Sequence, residues 1–261
     1  MLAWRLMMVF FLFSVQRVLF YLFNIGYFPH MPIGHLCELM LSGLKFDLSA
    51  VLYVNSLYIL VMLLPIQLKY DDWYKKMARI LFLFTNSIAL LTNFIDIVYF
   101  RYILRRTDFS VFSEFRHESH LWKIILVGLV QYWYLVVIFA VMFYFLLRVY
   151  SDHKRSNLVR SNILFYLFST FVLLLSVGLS VAGMRGGFTG TTRPITISNA
   201  IVKVQRPIES AIVLNTPFSM IRTIDVKTFE EVKFFEEKEA ENIFEWKVQR
   251  RAPFGLRAEI R

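Results

Sequence analysis

The stretch from Ile124 to Leu147 reads "IILVGLVQYWYLVVIFAVMFYFLL" and carries no charged side chain. The hydrocarbon core of a bilayer takes about 20 apolar residues of helix to cross. A run of this length and composition therefore predicts a membrane-spanning helix. Hydrophobic residues make up 57% of all 261 residues, which is more than the surface of a soluble domain tolerates.

Four other stretches have the same character, and with the first they predict five transmembrane helices. Two of the four are uncharged, one contains Asp96 as its single charge, and the amino-terminal one contains Arg5 and Arg17. Because no small-residue cleavage site follows it, the amino-terminal stretch is interpreted as a retained helix. The predicted spans are residues 2–23, 48–68, 80–100, 124–147 and 161–184. The fold class is therefore predicted to be all-α, with a polytopic transmembrane domain over residues 1–184.

The remainder of the chain is more polar and is expected to face water. Short amphipathic helices are predicted in "TISNAIVKV" and "PIESAIVL", which are separated at Pro207. Thr228 and Glu231 have the spacing of a capping box that opens a further helix. Residues 185–246 are interpreted as an extracytoplasmic helical linker, and residues 247–261 as a divergent tail.

The distribution of basic residues predicts the orientation, since Lys and Arg in short loops favour the cytoplasmic side. Two loops are basic and should lie inside; their residues are Lys69, Lys75, Lys76 and Arg79, then Arg148, Lys154, Arg155 and Arg160. The amino terminus of this multi-pass protein is then cytoplasmic and the carboxyl terminus extracytoplasmic. The loop from Arg101 to Lys123 is also basic and breaks the rule, so the reverse orientation stays open.

A glycine-rich stretch, "GMRGGFTGTTRP" from Gly183 to Pro194, follows the last span. A phosphate-binding loop would need a lysine after its glycines and a strand before them, and neither is present. The stretch is interpreted instead as the end of the fifth helix, with Arg185 at the depth of the lipid headgroups.

Polar residues within the spans are costly in hydrocarbon and usually face protein or water. Asn86, Asn93 and Asp96 are seven and three residues apart, which places them on one face of the third predicted helix. We expect hydrogen bonds between helices from this face, and a proton or ion pathway is the alternative. Asp47 is expected to pair with Lys45 at the end of a span.

Arginines near the predicted outer surface are candidates for binding lipid phosphates, because guanidinium groups bind phosphate bidentately. A solvated helix at the membrane surface is the alternative interpretation of the basic loop. A metal site in this loop is disfavoured, since His117 and His120 are three residues apart, whereas the zinc helix needs four. The candidate headgroup-binding residues are Arg105, Arg106, Arg185 and Arg193.

Four stretches resemble a known family. They are "KFDLSA" (45–50), "NFIDIVYFRY" (93–102), "RRTDFSVFSEF" (105–115) and "LNTPFSMI" (214–221). They are similar to the membrane half of the lipoteichoic acid synthase-like family, the sulfatase-type phosphoglycerol and phosphoethanolamine transferases of the alkaline phosphatase superfamily. The resemblance runs from residue 1 to about residue 244.

The resemblance implies five helices in the bacterial cytoplasmic (inner) membrane, followed by an extracytoplasmic α/β domain. In that domain a threonine nucleophile bound to a divalent metal transfers a lipid headgroup to an acceptor. After Trp246 this sequence reads "KVQRRAPFGLRAEIR", which contains neither an apolar strand nor a cluster of metal ligands. We therefore expect a truncated or frameshifted reading frame, with no catalytic residue, no metal and no other cofactor in this chain.

The function expected from these observations is that of the membrane anchor and linker of a sulfatase-like headgroup transferase, inactive on its own. The alternatives are a separate membrane module that binds lipid or a partner protein, and a small transporter. The expected partners are membrane lipids, in particular anionic ones, and no nucleic acid.

Overall fold

The computed structural model describes residues 1–66, 71–116, 121–150, 162–187, 189 and 193–225. These residues belong to one packed unit that extends to Asp225. Their regular structure is entirely helical, which confirms the all-α prediction for the described part of the chain. The predicted capping box at Thr228 and Glu231 and the divergent tail lie outside the described residues.

The regular structure of the described residues consists of ten α-helices and three short 3-10 turns. The helices are α1 (Leu2–Phe23), α2 (Ile33–Val54), α3 (Ser56–Leu63), α4 (Asp72–Ile103), α5 (Val111–Arg116), α6 (Leu121–Gln131), α7 (Trp133–Val149), α8 (Asn162–Arg185), α9 (Ser210–Val213) and α10 (Thr216–Thr223). The 3-10 turns are Ile25–Tyr27, Ile197–Lys203 and Pro207–Glu209.

Three of these helices are long and apolar enough to cross a membrane: α1, α4 and α8. A fourth crossing is formed if α2 and α3, which meet at an angle of 57°, count as one broken span. The fourth predicted span is interrupted at Tyr132, where α6 ends and α7 begins, and α7 has only 17 residues. The described structure thus contains three to four candidate spans, and five stays a prediction.

The second predicted span differs most from the structure, because α2 begins at Ile33 rather than near Leu48. The helix also breaks inside the predicted span, at Asn55. The Asn55 amide donates to the carbonyl of Val51 at 2.9 Å and to Asn86 Oδ1 on α4, also at 2.9 Å. The spans were predicted from the length of apolar runs alone. Such a criterion detects neither the more polar start of α2 nor the break at Asn55.

The helices pack around α1, which contacts α2, α4 and α7, while α8 packs against α2 and α3. A group of aromatic rings closes the core where α1 and α4 end. The Phe20 and Phe100 ring centroids are 4.9 Å apart in an edge-to-face arrangement, and Phe28 stacks on Phe100 at 5.9 Å. We call this end of the bundle, where α2 begins, the linker end.

The last long helix, α8, ends at Arg185, and Gly186 follows with a φ of +79°. The N–H groups of Gly186 and Gly187 both donate to the carbonyl of Ala182, at 2.9 and 3.1 Å. A left-handed residue of this kind is normally glycine, because a side chain there is strained. The prediction that this glycine-rich stretch ends the helix is confirmed.

The segment after α8 returns to the bundle and packs against α1, α2 and α4 at the linker end. Ile212, Val213 and Phe218 are 0–1% exposed. The expectation that the linker faces water is therefore wrong for this part, since "AIVLNTPFS" (211–219) is buried throughout. The sequence explains the burial, because this stretch contains no charged residue.

Candidate functional site

A cluster of charged and amide side chains lies inside the bundle at the linker end. It joins α1, α2 and α4 to the segment around α9 and α10, and each of its side chains belongs to a residue at most 7% exposed. We call this set the polar cluster. Its members are Gln16, Arg17, Asp47, Asn93, Asp96, Arg106, Thr107, Asn215 and Thr216.

The first half of the polar cluster is an ion pair between α1 and α2. Arg17 donates to both carboxylate oxygens of Asp47, from Nη2 at 2.5 Å and from Nε at 3.2 Å. The same guanidinium donates to the carbonyl of Gly43 at 3.0 Å and to the carbonyls of Ile212 and Val213. Arg17 thereby attaches the α9 backbone to two membrane helices.

The second half is centred on Asp96 of α4. Its Oδ2 accepts from Arg106 Nη1 at 2.8 Å and from Thr216 Oγ1 at 2.9 Å. Its Oδ1 accepts from the Thr107 N–H at 3.0 Å and from the Thr107 hydroxyl. Arg106 also donates to the carbonyl of Ala211 at 2.7 Å. A second guanidinium thus attaches the same short segment to the bundle.

Amide side chains connect the two halves. Asn215 donates from Nδ2 to Asp47 Oδ1 at 2.8 Å, and its Oδ1 accepts from the Phe218 N–H, which caps α10. Asn93 accepts from the Thr216 N–H at 3.0 Å and donates to Gln16 at 3.0 Å. Between them lies a small cavity with room for about one water molecule, bordered by Arg17, Arg106 and Asn215.

The polar cluster contains two arginines and two aspartates, so it carries no net charge. Buried charges are stable only when they are paired and their remaining hydrogen-bonding groups are satisfied. Both conditions are met, because each of the four carboxylate oxygens accepts at least one hydrogen bond. Such an arrangement holds a segment in place, whereas a catalytic acid or a metal ligand needs an oxygen open to substrate or metal. Among the described residues, no group of three potential metal ligands occurs.

A second set of contacts, outside the polar cluster and centred on Glu209, also holds the linker. Glu209 accepts from His35 Nε2 at 3.1 Å and from Arg206 Nε at 3.0 Å, and also from the backbone N–H of Gln205 at 2.9 Å. Burial raises the pKa of Glu209, but these hydrogen bonds outweigh it and lower the pKa to about 2. Glu209 is therefore ionised at neutral pH and binds the linker to α2.

The three polar residues predicted on one face of α4 are all buried. Asn86 exchanges two hydrogen bonds with Asn55, of 2.7 and 2.9 Å, while Asn93 and Asp96 belong to the polar cluster. The expected surface pair of Asp47 with Lys45 is wrong, since Asp47 is fully buried and pairs with Arg17. Helical spacing explains this difference, because Lys45 is only two residues from Asp47 and projects from another face.

The four arginines predicted to bind headgroups differ in their exposure. Arg106 lies inside the protein with its guanidinium 3.5 Å from the centroid of the Phe20 ring, where a headgroup cannot reach it. Arg105 is exposed and pairs with Asp108 at 2.7 Å, and Arg193 is also exposed. Arg185, the last residue of α8, is half-buried. For the three arginines other than Arg106, headgroup binding stays a prediction.

Several residues of the polar cluster were not singled out from the sequence. Arg17 could have been, since a charge within an apolar helix usually faces a partner inside the protein. Asn215 is followed by "TPFS", which is typical of a helix start with proline in the first turn. His117 and His120, weighed above as metal ligands, lie outside the described residues.

Comparison of the chain with family models, with curated proteins and with solved structures finds no match.

Proposed function

We propose that the chain is the membrane and linker part of a sulfatase-type headgroup transferase, and that the polar cluster makes it a rigid platform. One observation carries the proposal. The four stretches that resemble the family come from three separate regions of the sequence, and all four contribute to the polar cluster. Their contributions are Asp47, then Asn93 and Asp96, then Arg106 and Thr107, and finally Asn215 and Thr216.

The geometry suggests what such a platform does. Two guanidinium groups bind the backbone carbonyls of Ala211, Ile212 and Val213, so the chain after α9 starts from a fixed point on the bundle. A transferase that takes headgroups from lipid must keep its reacting groups at headgroup depth. A fixed starting point at the linker end meets that requirement better than a loose tether does. In this proposal the linker end is extracytoplasmic and the amino terminus cytoplasmic.

The proposal can be tested by joining the soluble catalytic domain of a phosphoglycerol transferase to the end of the full chain. The fusion would be reconstituted in liposomes of phosphatidylglycerol, and transfer of phosphoglycerol would be measured with added divalent metal. We expect faster transfer than from the same domain on an unrelated single-helix anchor. The chain without the added domain is expected to be inactive. Equal rates from the two anchors would overturn the proposal.

A variant separates a rigid platform from simple attachment. Asn215→Ala combined with Thr216→Val removes the side-chain hydrogen bonds of these two residues to Asp47 and Asp96 but leaves the Arg17–Asp47 and Asp96–Arg106 pairs intact. The helices should still assemble and the two guanidinium groups should still hold α9. The chain from Asn215 onward should be fixed less rigidly, and transfer should slow by about tenfold or more, as expected when positioning is lost. Ser210→Ala serves as the control, because its hydroxyl bonds only the nearby carbonyl of Pro207. An unchanged rate in the double variant would show that the chain only attaches the catalytic domain to the membrane and does not position it.

A further inference from the structure

A crevice of about 710 Å³ opens between α1 and α7, at the end of the bundle opposite the polar cluster. Along α1, Arg5 and Arg17 are separated by about 18 Å of helix, at 1.5 Å per residue. The crevice is therefore independent of the linker contacts described above. Its volume is within the range of about 300–1,000 Å³ that is usual for sites of small ligands.

Among the described residues, the walls of the crevice are mostly apolar and the charged side chains that line it are both arginines. Apolar side chains form most of the lining; they are Met1, Trp4, Met8, Phe145 and Val149. The two charged lining residues are Arg5 and Arg148, and neither α1 nor α7 contains an aspartate or a glutamate. An apolar space with a cationic border fits a molecule that has an acyl chain and an anionic head.

The two arginines occupy different positions in this border. Arg5 is buried, donates to the Tyr58 hydroxyl at 2.8 Å and lies 3.6 Å from the centroid of the Tyr150 ring. Arg148 is exposed and donates to the hydroxyl of Tyr144 at 3.0 Å. Arg5 thus supplies a fixed positive charge within the wall, and Arg148 supplies a guanidinium that a phosphate can reach.

A third arginine strengthens the positive field. The Arg79 guanidinium of α4 lies 5.8 Å from the centroid of the same Tyr150 ring that Arg5 covers. Tyr150 is itself buried and follows the end of α7. Arginines from α1, α4 and α7 therefore surround one corner of the bundle.

We propose that this crevice binds one anionic phospholipid, with an acyl chain between α1 and α7 and its phosphate at Arg148. Charge complementarity identifies the occupant, because the border is cationic and the interior is apolar. A free phosphate would leave the apolar wall between Trp4 and Phe145 unfilled. A neutral amphiphile would place no anion at the exposed guanidinium of Arg148.

Native mass spectrometry of the full chain in detergent, titrated with phosphatidylglycerol, tests the proposal. Met8→Trp would fill the crevice, and the matched control is Met7→Trp on the same helix turn. Met8 lines the crevice, whereas Met7 is 60% exposed and does not. We expect Met8→Trp to lose the tightly bound lipid and Met7→Trp to keep it. Equal lipid binding by the two variants would overturn the proposal.

The charge of the headgroup is tested separately. Arg148→Gln should weaken phosphatidylglycerol binding about fivefold, since a basic side chain near anionic lipid has an effect of that size. It should weaken the binding of phosphatidylcholine less, because that headgroup has no net charge, and inorganic phosphate should not compete with the lipid. Lys203→Gln is the control, because Lys203 is at the linker end and pairs with Glu38. Equal binding of the two lipids by the unaltered chain, or competition by phosphate, would contradict the assignment.

Discussion

Asp96 is the most heavily used carboxylate of the polar cluster. It accepts hydrogen bonds from Arg106, Thr107 and Thr216, which come from two separate parts of the chain. Removing one partner of a buried ion pair leaves the other charge without compensation, and this costs more than the pair itself contributes. The loss of Asp96 is therefore expected to destabilise the fold mainly because it leaves the buried Arg106 charge without compensation.

We expect Asp96→Asn to destabilise the protein by about 3 kcal/mol or more, because the Arg106 charge stays buried without a counter-charge. Thermal unfolding in detergent, followed by tryptophan fluorescence, measures the change. Asp72→Asn is the control; Asp72 pairs with Lys75 at 3.0 Å, but its side chain is fully exposed. If the two variants melt at the same temperature, the Asp96–Arg106 pair does not stabilise the fold.

Glu209 makes the attachment of the linker sensitive to acid. Its pKa is about 2 in the folded chain, against 4.5 for an unperturbed glutamate. A lowered pKa contributes stability above the unfolded pKa, and that stability is lost as the pH falls from 4.5 towards 2. The shift corresponds to about 3 kcal/mol. We expect the protection of residues 203–213 against hydrogen exchange, relative to the intrinsic exchange rate at each pH, to fall over this pH range.

Glu209→Gln should abolish that pH dependence, because the remaining amide does not titrate. The variant should show faster exchange already at neutral pH, since His35 and Arg206 lose their ionised partner. Lys203→Gln, which breaks the exposed pair with Glu38, is the control and should keep the acid response. If Glu209→Gln still responds to acid, a group other than Glu209 causes the response.

Residue spacing alone predicted which polar side chains of α4 share a face, but it could not identify their partners. Asn93 and Asp96 bond to Thr216, more than a hundred residues away. Helical periodicity describes neighbours within one helix and contains no information on which helix packs opposite. The partner of Asp47 was missed for the same reason, since Arg17 is on another helix.

Helix α2 contains a glycine, Gly43, where the guanidinium of Arg17 lies against its backbone. At Gly43, an added Cβ would collide with the Arg17 side chain, whose Nη2 donates to the Gly43 carbonyl at 3.0 Å. Glycine lowers helix stability elsewhere. Here it is required because it lets Arg17 pass between α1 and α2 to reach Asp47.

Gly43→Ala should therefore destabilise the protein by about 1–3 kcal/mol through overpacking, despite the better helix propensity of alanine. The matched control is Gly34→Ala on the same helix, where nothing lies within 4 Å of the added Cβ. That variant should be neutral or slightly stabilising. Unfolding midpoints in detergent distinguish the two variants, and equal midpoints would show that Arg17 can move aside at no cost.

Apolar length predicted α1, α4 and α8 because each is a nearly continuous apolar run. It predicted that the second helix begins at Leu48, whereas α2 begins at Ile33. The more polar first half of α2 was therefore missed. That half is stabilised by contacts with the linker, including His35 with Glu209 and Glu38 with Lys203. Contacts between distant parts of the chain are not visible in a local hydropathy pattern.

The described chain has two chemically different ends. The linker, the start of α2 and Cys37 lie at one end, and the amino terminus and the start of α4 lie at the other. Cys37 is the single cysteine of the chain and is exposed. It therefore reports directly on the orientation proposed above, in which the linker end is extracytoplasmic.

We expect an impermeant maleimide to label Cys37 in intact spheroplasts. In a Cys37→Ser background, Val202→Cys should also be labelled, because Val202 is 79% exposed at the linker end. Lys75→Cys, near the start of α4, should react only after lysis. The opposite pattern at all three positions would reverse the orientation.

The sequence separation within the polar cluster has a consequence for biosynthesis. Arg17, Asp47 and Asp96 are translated and enter the membrane well before Asn215 and Thr216 exist. During that interval the early helices carry polar groups whose last partners have not yet been made. Attachment of the final segment is then the step that completes assembly, and a nascent chain that stalls before it would expose these groups to quality-control proteases.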